Sequence, residues 1–77
     1  MRLNELAPGG VGRVAGLETE GTMRRRLLEL GLVPGTGVKC LGRSPMGDPA
    51  AFEVRGAVIA LRSRDSAEVL LEDGPWA

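Results

Sequence analysis

Met23-Arg24-Arg25-Arg26-Leu27-Leu28-Glu29-Leu30-Gly31-Leu32-Val33-Pro34-Gly35 holds a helix, its stop and the turn into the next strand in one run. Met23, Leu27 and Leu30 fall at i, i+4 and i+7, one stripe of an α-helix. Thr22 just upstream is a side chain suited to an N-cap, so the helix is read as Thr22 to Leu30. Gly31 stands where a C′ residue takes the left-handed backbone. Pro34-Gly35 follows as a tight turn: Pro presets φ at one corner and Gly is free to take positive φ at the next.

Outward from this run the pattern is that of short strands. Twelve glycines and five prolines divide the chain into apolar runs too brief for further long helices. Val11 to Leu17 reads as a strand before the helix, and Val38 to Arg43 as a strand after it. Ser44 to Pro49 is a loop, then Ala51 to Arg55 and Ala57 to Leu61 form a hairpin across Gly56. Ser63 to Ala67 is a turn, and Glu68 to Glu72 closes as the last strand. The fold class expected is mainly β: a small barrel of about five or six antiparallel strands with one short inserted helix. Closure is expected to remove the strand edges, which otherwise invite unwanted pairing. Residues 3–73 are read as one domain and 74–77 as a flexible tail.

The 77-residue chain has one cysteine, Cys40, and no histidine. No intrachain disulfide can form, and no histidine-based triad or general base exists. Cys40 lies two residues from Val38 on a strand and is read as a small core hydrophobe. Metal ligands of the cysteine and histidine type are too few for a borderline-metal centre, and the carboxylates do not cluster in sequence. No catalytic residue, no metal ligand and no cofactor is therefore assigned, and the chain is expected not to be an enzyme. Gly10-Val11-Gly12-Arg13-Val14-Ala15 satisfies a loose dinucleotide pattern, but a strand follows it where that motif needs a helix. Residues 1–6 contain no signal-peptide core and no run approaches a membrane span, so a cytoplasmic protein is expected.

Formal charge is zero overall but uneven, net +5 over residues 22–64 and −4 over 65–77. The most pointed local feature is Arg24-Arg25-Arg26. Counted from an N-cap at Thr22, these cations sit in the first turn, where the helix dipole disfavours them by roughly 0.3–1 kcal/mol each. Glu18 and Glu20 upstream, and Glu29 at i+4 from Arg25, can offset that cost. Leu28 falls about 140° from Met23 around the helix, off the apolar stripe and beside Arg24. A leucine ringed by arginine has the composition favoured at protein interfaces. The candidate partner-binding residues are Arg24, Arg25 and Leu28.

Taken with Pro45-Met46-Gly47-Asp48-Pro49 and Ala57-Val58-Ile59-Ala60-Leu61-Arg62, the opening run resembles the ferrous iron transport protein A (FeoA) family, from about Leu3 to Glu72. The resemblance implies an SH3-like barrel and a cytosolic accessory role in bacterial ferrous iron uptake. The implied partner is the cytosolic region of the membrane GTPase transporter, ferrous iron transport protein B. Contact with the inner face of the membrane would then come only through that partner. The same fold also occurs in metal-dependent repressors, which leaves two alternatives: an SH3-like module tied to nucleic acid or to such a regulator, and a direct Fe²⁺ carrier. Zero net charge and almost no aromatic residues argue against nucleic acid. Poverty of ligands argues against the carrier.

Overall fold

Strands form where apolar residues alternate with glycine, charge or small side chains. They are β1 (Val11–Leu17), β2 (Gly37–Arg43), β3 (Ala50–Val54), β4 (Ala57–Leu61) and β5 (Val69–Leu71). Between β1 and β2 lies α1 (Gly21–Glu29), and a single turn, α2 (Ser63–Ser66), joins β4 to β5. The computed structural model describes residues 1–73, and the tail assigned to 74–77 lies outside them. The five strands make one antiparallel sheet in the order β4-β3-β2-β1-β5, the mainly β architecture expected from the sequence.

The sheet bends because β1 serves two partners. Val11, Gly12 and Arg13 pair with β2, whereas Val14, Gly16 and Leu17 pair with β5, across a bulge between Val14 and Gly16. A second bulge interrupts β2 against β3 between Cys40 and Gly42. Each bulge adds a residue to one strand and increases the local twist, which rolls the sheet around its own apolar face. Phe52, Leu3, Val14, Leu27, Leu32, Cys40 and Val69 are fully buried there.

Hydrogen-bonded closure does not follow. β4 and β5 end the strand order and do not pair with each other, so edges survive that the sequence reading had removed. β5 is covered: Arg2 bridges to Leu70, and the Leu71 amide donates to the Met1 carbonyl at 2.8 Å. A 3-10 turn at Leu3–Glu5, not read from the sequence, buries Leu3 and delivers this N-terminal strap.

The helix starts earlier than its sequence pattern predicts. Its first residue is Gly21, at φ 70°, and the N-cap is Glu20, which makes no side-chain capping bond. Thr22 is therefore inside the helix. The arginines accordingly start beyond the first three helical residues, and Arg26 falls in the last turn, where the dipole favours a cation. The dipole cost inferred for them from the sequence does not apply. Nor does Arg25 pair with Glu29. The stop is as read: Gly31 has φ 103°, and its amide donates to the Leu28 carbonyl.

The hairpin also turns differently. Its loop is Arg55-Gly56, with φ 53° and 80°, so β3 ends at Val54 and Arg55 belongs to the turn. Positive φ at both central residues is the type I′ geometry that matches strand twist.

Cys40 is fully buried in the core cluster, as its alternation with Val38 predicted. Its thiol should react with a labelling reagent only as fast as the chain opens. Labelling should speed up by orders of magnitude in denaturant, and Cys40→Val should melt within a few degrees of the parent because it exchanges one small core hydrophobe for another. Equal labelling rates in native and denatured protein would contradict the buried placement.

Candidate partner-binding surface

The exposed side of α1 is fixed by its buried side. Leu27 is the one fully buried residue of the helix, and Met23 and Leu30 pack against the core beside it. At about 100° per residue, Arg24, Leu28 and Arg25 then lie together on the side turned away from the sheet. Arg24 and Arg25 are exposed, and Leu28 is half-buried without joining the residues that pack on the core cluster. The three residues singled out from the sequence thus fall on one face.

Their bonding differs. One guanidinium nitrogen of Arg24 donates to the Leu17 carbonyl at 3.1 Å, tying the helix back to the end of β1. Arg25 has no hydrogen bond or ion pair among the described residues, and its charge is free for a partner. A half-exposed leucine between a tethered and a free arginine suits an apolar contact with an anionic rim.

Arg26, which is not among the candidate partner-binding residues, lies on the opposite flank of the helix stripe. It lines an open depression of about 180 Å³ together with Met23, Ala60, Leu61, Arg62, Arg64 and Asp65. The helical angle alone places Arg26 nearer Met23 than Leu28, at about 60°. That Arg62 and Arg64 meet it there is a consequence of chain folding.

The remaining polar side chains serve structure. Arg2 ties the N-terminal strap down, with its guanidinium bonded to the Glu18 carboxylate and to the Ala67 carbonyl at 2.8 Å. That bond and the charge of Glu18 hold the guanidinium above its ordinary pKa. Arg43 donates to the carbonyls of Asn4 and Leu6, and an Asp48 carboxylate oxygen accepts from the Ser63 amide at 2.8 Å, closing the Ser44–Pro49 loop onto α2. Among the described residues no three of His, Cys, Asp and Glu come together as ligands for a metal ion, and no helix is long and apolar enough to cross a membrane.

The family model described as FeoA domain matches residues 1–73. A Porphyromonas gingivalis protein, the Fe(2+) transport protein A/Fe(2+) transporter FeoB fusion protein, is 32% identical over 72 residues. Those residues are 94% of this chain but only 8% of the fusion protein. The solution structure of iron(II) transport protein A from Clostridium thermocellum superposes with a TM-score of 0.88 at 32% identity, covering 94% of this chain and 44% of that one. Stenotrophomonas maltophilia FeoA, solved in complex with zinc and described as a procaryotic SH3 domain protein, gives a TM-score of 0.84 at 29% identity. It covers 94% of this chain and 89% of that one, and it bears out the SH3-like reading of the sheet.

Proposed function

The chain belongs to the FeoA domain family, and from that premise we propose that it is a small, non-enzymatic accessory of bacterial ferrous iron uptake. It acts in the cytoplasm by direct contact with the cytosolic region of the membrane transporter FeoB. The observation that carries this reading is the fusion of the two proteins in a single polypeptide in Porphyromonas gingivalis. A covalent link holds two modules at millimolar effective concentration, which is useful when the modules act on each other. The face offered to the transporter is Leu28 with Arg25 and Arg24: an apolar anchor that the core does not use, beside a cation with no partner among the described residues.

Calorimetric titration of this chain into the isolated cytosolic region of the transporter tests the contact. Leu28→Ala should weaken binding by about tenfold or more, the effect of removing a central anchor of about 1.4 kcal/mol or above. Arg25→Glu should slow association and flatten its salt dependence, because a rim charge acts mainly through steering. Neither change should shift the melting temperature by more than a few degrees. Full binding by the doubly substituted, folded chain would remove this face as the interface.

A further inference from the structure

Among the described residues, the edge of β4 combines unpaired backbone with unpaired cations. In the β3–β4 hairpin a two-residue loop makes Val54 and Ala57 a hydrogen-bonded pair, and the pairing alternates from there. Phe52 with Ile59 and Ala50 with Leu61 are the next bonded pairs, so the amides and carbonyls of Val58 and Ala60 point away from β3. The neighbouring strand agrees with this parity: the Cys40 amide donates to the Gly10 carbonyl at 2.9 Å, toward β1, leaving its opposite residue Phe52 to bond with β4. Among the described residues no strand lies beyond β4 in the sheet order. Val58 is 66% exposed, and Ala57 and Ala60 are exposed beside it.

Arginines stand at both ends of this edge. Arg55 occupies the turn before β4, and Arg62 directly follows it. Arg26, Arg62 and Arg64 line the depression at the Ala60 end. None of the four has a side-chain hydrogen bond or ion pair among the described residues. Of the nearby acids, Asp48 accepts from the Ser63 amide, Asp65 lines the same depression as the arginines, and Glu53 stands in register between Lys39 on β2 and Val58 on β4 with no ion pair among the described residues. Edge strands are usually kept from pairing by charge, and here that charge is of one sign at each end.

We propose that the β4 edge is a docking site for an extended, acidic segment of a partner protein. The segment adds a sixth strand on Val58 and Ala60 and places its carboxylates against Arg55 at one end and Arg26, Arg62 and Arg64 at the other. Main-chain bonds supply the affinity of such strand addition, and the arginines select acidic sequences over basic ones. The edge lies on the opposite flank of α1 from Leu28, and the inference does not depend on the transporter reading.

The test uses a blocked peptide of alternating glutamate and valine, with a lysine-valine peptide as control, and follows amide hydrogen exchange in the intact chain by NMR. With the acidic peptide at about ten times its Kd, exchange at Val58 and Ala60 should slow about tenfold. The lysine peptide should leave it unchanged, and raised salt should weaken the effect. Ala60→Pro removes an outward amide, a change an edge strand tolerates, and should abolish the protection. Should that variant not fold, Arg62→Glu with Arg64→Glu leaves the backbone intact and should abolish it equally. Equal protection by both peptides, or none by the acidic one, overturns the proposal. Slow exchange that grows with chain concentration in the absence of peptide also overturns it, by assigning the edge to a second copy.

Discussion

Leu27→Ala should lower folding stability by about 2–5 kcal/mol, the range for deleting a buried leucine side chain and leaving part of its cavity open. Leu27 is fully exposed to the core and not to solvent, at 0% accessibility, and it is the only buried residue of α1. The helix has nine residues, too few to hold together in water without tertiary contacts. Its docking therefore rests on this side chain, with Met23 and Leu30 only partly buried beside it. A domain of this size without disulfides has a net stability of roughly 3–5 kcal/mol, so the variant should be largely unfolded or close to it at room temperature. Urea titration monitored by far-UV circular dichroism reads the loss directly. Leu28→Ala, one residue along, should cost under about 1 kcal/mol because that side chain leaves the core cluster untouched. Equal midpoints for the two variants would mean that the helix is held by some other contact.

Gly31→Val should cost about 2–5 kcal/mol, for two reasons that act together. At φ 103° the backbone is in a region that a β-branched residue rarely adopts. An added Cβ would also stand 3.2 Å from Val54 Cγ1 and 3.2 Å from Arg55 Cδ. The Arg55 side chain can swing aside, but Val54 is 1% exposed, β-branched and locked in the core. Gly35 separates the two reasons: its φ is 92°, yet nothing lies within 4 Å of the added Cβ. Gly35→Val should therefore show the backbone cost alone, about 1–2 kcal/mol. Denaturation midpoints of both variants measure the difference. If Gly31→Val were no worse than Gly35→Val, the close approach of the helix C-terminus to the β3–β4 hairpin would contribute nothing to stability.

The arginine cluster shows how far local reading carries. Arg24, Arg25 and Arg26 are consecutive, and from the sequence they form one basic patch. In the fold they separate. Arg24 donates to Leu17, Arg25 has no partner among the described residues, and Arg26 joins Arg62 and Arg64 at the end of β4. Helical periodicity is enough to set Arg26 on the other flank from Arg24 and Arg25, but it says nothing of what each meets. The N-cap failed for a related reason. Thr22 has the right chemistry for a cap, yet Gly21 supplies the positive φ at which the chain turns, and the helix begins with it.

Local chemistry alone determined the five strands and the main helix of this protein. Short apolar-rich runs bounded by turn residues specify β1 and β4 to the residue, a three-point apolar stripe specifies α1, and glycine at Gly31 and Gly35 specifies where the backbone turns left-handed. These properties depend on neighbours within a few positions, and the same neighbours are present in the unfolded chain. What only the tertiary structure decided is which edges remain open and which charges remain unpaired. The N-terminal strap reaches β5 and leaves β4 bare, because Arg2 finds Glu18 and Ala67 across the fold. Glu18 and Ala67 are brought together by the pairing of β1 with β5, a non-local event that no short window of sequence encodes.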